Sequence, residues 1–134
     1  MRGLDQSKRP ARRGKKQEPA REERISREIV VDAYDAWEQA MGWYYHMEDN
    51  LEFPFTAICV KKRAISPLKL KKTVEVVGLP PIEECEQEMF VEIIWNERKF
   101  SVPLAQLKYS GRDTETYQAV EDWQYWVKQG YRFG

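Results

Sequence analysis

The hydrophobic pattern of this chain changes period at Pro54, so no single repeating architecture can accommodate it. Before that point Ile25, Ile29, Ala33, Trp37, Ala40, Tyr44, Met47 and Leu51 recur at steps of three or four, the spacing of one apolar helix face. Asp35 and Glu38 have the spacing of a capping box, which predicts a break near Tyr34-Asp35 and a second helix starting there. Phe53-Pro54 ends the helical region. Beyond it the chain turns to short β-rich runs: Phe55 to Val60, Thr73 to Val77, Met89 to Trp95, and Lys99 to Pro103. Gly78 stops the second run, and Asn96-Glu97-Arg98 supplies a turn between the last two. Residues 114–129 return to a helical period through Tyr117, Val120, Trp123 or Gln124, and Val127. Asp113 or Thr114 can cap that helix, and Gly130 stops it.

These elements predict an α+β chain: a small, strongly bent, SH3-like antiparallel β-barrel packed against N-terminal helices and a C-terminal helix. The 134 residues suit one domain, with 42% hydrophobic residues for its core. Residues 1–22 have almost no large apolar side chain, and they are expected to form a disordered basic arm outside a domain at 23–134.

A formal charge of zero conceals an asymmetry. Residues 1–24 hold nine Lys or Arg against four acids, whereas residues 25–134 hold 13 against 18. The domain is therefore acidic, which favours cations over phosphates as partners. The arm lacks interleaved aromatics, so a dedicated nucleic-acid site is not supported. Cys59 and Cys85 are expected as buried reduced thiols rather than a disulfide framework. No apolar run reaches the length of a membrane span and no signal-like block opens the chain, so the cytoplasm is the expected location.

No string for a phosphate cradle, a nucleophile elbow or a zinc-protease site is present. His46 stands alone, and with two isolated cysteines it makes no persuasive zinc site. The expectation is that the chain is not an enzyme and takes no small-molecule substrate. Carboxylates are what the domain has in surplus. Glu28, Asp32, Asp35 and Glu38 line the first helical stretch, where a continuous helix would put the first three on one face. Glu48, Asp49 and Glu52 crowd its end, Glu83, Glu84, Glu86 and Glu88 fill a loop, and Glu121 and Asp122 lie on the last helix, which Asp113 and Glu115 open. Calcium takes about six to eight oxygen ligands from such groups, backbone carbonyls and water, and it relieves the repulsion between clustered carboxylates. The EF-hand loop pattern is absent. A second class stays open on the residues alone: an SH3-like protein-interaction module whose carboxylates serve solubility and whose aromatics form an exposed patch.

Several strings resemble a known family, the small non-EF-hand calcium-binding proteins first described from cyanobacteria. They are Glu28-Ile-Val-Val-Asp-Ala-Tyr34, Ala40-Met-Gly-Trp-Tyr-Tyr45, Glu48-Asp49 with Phe53-Pro-Phe55, Ser66-Pro-Leu68, and Val74-Glu-Val-Val-Gly78. Glu84-Cys-Glu86, Met89-Phe-Val91, Val102-Pro-Leu-Ala-Gln-Leu107, and Glu121-Asp-Trp123 with Tyr125-Trp126 continue the likeness in order, from about residue 25 to 131. The resemblance implies Ca²⁺ bound by acidic surface groups, compaction on binding, and a role in calcium buffering or signalling. It favours Glu28, Asp32, Glu48, Asp49, Glu84, Glu86, Glu121 and Asp122 as ligands, to which the acid clustering adds Asp35 and Glu38. In the family pattern a Gly-Pro pair often follows Asp-Ala-Tyr, whereas here Asp35-Ala36 stands in its place.

Overall fold

A computed structural model describes residues 16–134; the first fifteen residues of the expected arm lie outside the described residues. Helix α1 (Pro19–Arg24) runs into a π-helical turn, Ile25–Ile29, and α2 (Ala36–Asn50) follows an irregular link. The strands are β1 (Phe55–Cys59), β2 (Thr73–Gly78), β3 (Phe90–Trp95), β4 (Arg98–Pro103) and β5 (Leu107–Tyr109), and helix α3 (Thr114–Lys128) closes the order. Among the described residues the strands form one antiparallel sheet, in the order β4-β3-β2-β1-β5. No described helix is long and apolar enough to cross a membrane.

The chain is thus α+β, but the expected barrel does not close. β4 and β5 remain the two edges of the sheet. The physical reason lies where closure would occur. The Gln124 side-chain amide of α3 sits against the carbonyls of Leu104, Ala105 and Leu107, at 3.3, 3.1 and 2.6 Å. A helix side chain, rather than another strand, satisfies backbone groups at this corner.

Local chemistry sets the element ends. Asp35 accepts from the Glu38 amide while the Glu38 side chain accepts from the Asp35 amide, so the expected capping box starts α2. Asp113 caps α3 through the Thr116 amide, and Gly130 takes φ +92 just beyond it. Asn96 and Glu97 both have positive φ, 49° and 65°, which turns β3 tightly into β4.

The core lies between the sheet and the helix pair. Trp43 of α2 and Trp123 and Trp126 of α3 meet with ring centroids 4.9 to 5.5 Å apart, edge-to-face or tilted as aromatic quadrupoles prefer. Trp43, Trp123 and Trp126 are all buried, so they supply no exposed aromatic patch for an interaction module. Half-buried Trp95 lies under the Lys72 ammonium, 5.6 Å from the ring centroid.

Gly42 is where α2 passes closest to the π-helical turn. A Cβ there would fall onto the backbone carbonyl of Ile29, which belongs to another element and cannot rotate away. Replacing Gly42 with Ala removes the helix penalty of glycine but forces the two segments apart. The net expectation is a loss of about 1–2 kcal/mol in urea unfolding, set by overpacking.

Candidate metal centre

Helix α1 begins inside the stretch expected to be a flexible arm, although it buries no side chain of its own. Polar contacts to α3 fix it. Arg21 Nη1 and Arg24 Nη2 donate to Asp122 Oδ1 at 2.8 and 2.6 Å, and Arg24 Nε donates to Oδ2 at 3.1 Å. The Tyr125 hydroxyl donates to Glu22 at 2.6 Å and accepts from the Glu18 amide at 3.0 Å. Burial and the Glu22 carboxylate push that phenol up to about 12. Asp122, a sequence candidate for a metal ligand, is fully buried with both oxygens engaged by guanidinium groups. Its neighbour Glu121 is half-buried on the wall of a separate cavity that also carries Lys61, Lys108 and Lys128.

The acids at the start of α2 are occupied with the backbone. Glu38 Oε1 accepts from the amides of Tyr34 and Asp35 at 2.8 and 3.3 Å, and Asp35 Oδ1 accepts from the Glu38 amide at 2.8 Å. Asp32 is exposed, adopts φ 56 and accepts from the Tyr34 hydroxyl at 3.3 Å. Glu28, Asp32 and Asp35 would share a helix face only if the helix continued. It ends at Ile29, so they do not.

Two places bring acids from separate elements together. Glu28 of the π-helical turn and Glu115 of α3 line a cleft of about 150 Å³, with Arg24, His46, Asn50 and Gln118. Asp49 lies near enough to act on the His46 charge. Desolvation pulls His46 below its ordinary value of 6.5, against the pull of Asp122, Glu28 and Asp49. Asn50 Nδ2 donates to the His46 carbonyl at 2.8 Å and stands 3.3 Å from His46 Nδ1, a geometry suited to an unprotonated ring nitrogen. In the second place Glu48 of α2 and Glu83 both lie near enough to act on Tyr44. Burial and then neighbouring Cys85, Glu48, Tyr45 and Glu83 raise that phenol, whose hydroxyl donates to Pro80 O at 2.7 Å. Glu84 accepts from Ser101 Oγ at 2.9 Å, and Glu86 is exposed. Cys85 is buried and free, its thiol pushed up to about 11 by desolvation, so it is a poor ligand at neutral pH.

Glu115 and Glu83 thus join the picture; both stand in the acid clusters of the sequence, but neither was among the favoured ligands. The signal for Glu115 was available: it precedes Gln118 and Ala119 by three and four positions, on the α3 face that lines the cleft with His46 and Asn50 of α2. Among the described residues no three His, Cys, Asp or Glu side chains come together as a metal cage. Oxygen donors in pairs, flanked by amides and open to water, fit calcium's variable coordination and fail to fit tetrahedral zinc.

A family model described as calcium binding, that of CcbP, matches residues 23–127. The chain belongs to the CcbP calcium-binding family. Its fold matches the crystal structure of CcbP from Anabaena at 40% identity and a TM-score of 0.78, over 90% of this chain and 98% of that one. It matches equally well, again at TM-score 0.78, a calcium-binding protein solved in its calcium-binding form, at 38% identity over 94% of this chain and all of the other. No curated protein matches significantly. Membership in the CcbP family bears out the resemblance carried by the sequence strings.

In this CcbP-family chain the buried Asp122 is a structural charge, and its loss strands two guanidinium groups that are 22% and 26% exposed. Asp122→Asn is expected to cost about 2–3 kcal/mol in chemical denaturation, below the range for fully buried pairs. The depressed His46 value gives a separate signature. A histidine that binds its proton less readily when folded stabilises the fold above about pH 6.5, and that contribution is lost as pH falls through its lowered folded value. Unfolding midpoints are therefore expected to drop on acidification below about pH 6.5, with the slope flattened in His46→Gln.

Proposed function

We propose that this chain binds calcium through surface carboxylates, in the cleft where Glu28 faces Glu115. The match to a relative solved in its calcium-binding form, across 94% of this chain, is the observation that carries this reading. The cleft supports it by gathering Glu28 and Glu115, from distant segments, with Asn50 and Gln118 in one lining. These residues would hold the ion, and water would complete the shell. Asp49 adds negative potential. Glu48 with Glu83, and the Asp32–Glu38 link, are secondary positions where an ion is held more loosely. Glu84 and Glu86 contribute field rather than ligands, and so does Glu121, whose cavity neighbours include three lysines.

An open site with few charges binds weakly. Dissociation constants from about 10 μM upward are expected, which suits buffering, or sensing of large calcium transients in the cytoplasm. Arg24 in the same cleft lowers affinity further by offsetting part of the acid charge.

Isothermal titration tests the reading. Calcium heat is expected at low-millimolar ligand in physiological salt. Glu28→Gln and Glu115→Gln are each expected to weaken binding about fivefold or more, with Glu97→Gln near wild type, because each cleft change removes one charged ligand. Absence of heat in the wild type would sink calcium binding itself. Binding that is unchanged in both cleft variants would move the ion elsewhere.

A further inference from the structure

A separate cavity lies away from the acidic cleft, over the outer side of α3. It measures about 340 Å³ and is bordered by Lys61 after β1, Lys108 of β5 and Lys128 at the end of α3. Among the described residues none of these three ammonium groups is ion-paired. They converge from distant parts of a domain whose net charge is negative. Between them Val60 and Val127 provide an apolar surface, and Val60 is 49% exposed. A second cavity of about 220 Å³ shares Glu121, Gln124 and Lys128 with the first and reaches Lys16, Gln129 and Glu18, whose charge Arg21 offsets at 2.9 Å. The two make one groove across α3.

We infer that this groove binds an extended acidic peptide segment of a partner protein, its carboxylates reaching Lys61, Lys108 and Lys128 and an apolar side chain lying over Val60 and Val127. Charge complementarity selects this occupant. The chain's own residues 1–15 hold six Lys or Arg against one acid, so their charge does not complement it. Nucleic acid presents a continuous line of phosphates, and Glu121 interrupts the cationic track midway. The apolar surface of Val60 and Val127 beside the lysines separates a peptide, which carries apolar side chains, from an inorganic anion, which carries none. The groove is independent of the calcium cleft.

Fluorescence anisotropy on the full chain, in calcium-free buffer, tests the inference with a labelled peptide of alternating Glu and Leu. A dissociation constant of about 10–100 μM is expected, the range of modest peptide contacts. The triple variant Lys61→Glu, Lys108→Glu, Lys128→Glu is expected to weaken binding about tenfold or more, because it reverses the complementary charges. The triple Lys69→Glu, Lys99→Glu, Arg112→Glu makes the same change in net charge elsewhere, and binding is expected to stay within about twofold. All exchanged residues are exposed, and circular dichroism checks that both triples fold. Equal weakening by both triples would reduce the effect to diffuse charge and overturn the proposal. So would tighter binding of a single-stranded oligonucleotide, full competition by inorganic phosphate, or equal affinity for a peptide with Lys in place of Glu. Self-association that the peptide cannot displace would assign the groove to a second copy of the chain instead.

Discussion

A carboxylate removed from water must find compensating charge inside the fold, and Asp122 finds it in two arginines 101 and 98 positions earlier in the chain. Desolvating the carboxylate alone would exceed the stability of the domain. Shared between two guanidinium groups, it becomes the fixed point to which the N-terminal segment is tied. Helix α1 buries no side chain, so apolar packing does not hold its own turns in place. The arginine pair, the Tyr125 hydroxyl and the Gln129 amide do so. Once that strap is set, Ile25 and Ile29 of the next turn drop into the core, Gly42 lets α2 pass against their backbone, and Glu28 is carried to the cleft wall opposite Glu115.

The same logic explains which parts of the fold and site were legible in sequence. Short-range chemistry was readable wherever it closed on itself within a few residues: the Asp35–Glu38 box, the Asp113 cap, the Gly130 stop and the hairpin at Asn96-Glu97. The helix phase was less so. Trp37 belongs to the apolar stripe read from Ile25 to Leu51, yet it is 42% exposed while Trp43 is fully buried. Trp37 keeps the phase of Ala40, Tyr44 and Met47, but it stands in the first turn of α2, where the stripe reaches the end of the helix. Barrel closure was unreadable for another reason: Gln124 meets the Leu104–Leu107 carbonyls from a helix that sequence reading could not place over that corner.

Long-range charge was the least legible. Sequence reading treats Glu121 and Asp122 as adjacent equals, and it takes the arginines of the N-terminal stretch for a solvated tail. A helix separates neighbours by about 100°, which leaves Glu121 at a cavity rim and turns Asp122 inward with Ala119 and Trp126. The clue was that phase, together with two arginines three positions apart. The family strings identified the right kind of protein while grouping ligand candidates and structural charges indiscriminately.

Arg24 joins these two themes. It holds Asp122 through two hydrogen bonds, and its guanidinium also lies on the wall of the Glu28 cleft. The interaction with Asp122 raises its pKa first, and the charge of Glu28 adds to that effect, so at neutral pH it remains a permanent cation beside the proposed calcium position. A divalent ion arriving at Glu28 and Glu115 meets this resident positive charge at close range and must either bind weakly or displace it toward Asp122. Arg24 already holds Asp122 Oδ1 at 2.6 Å, so the strap leaves little room for the guanidinium to retreat. The anchor of the N-terminal segment thereby sets a limit on how tightly the proposed cleft can hold a cation.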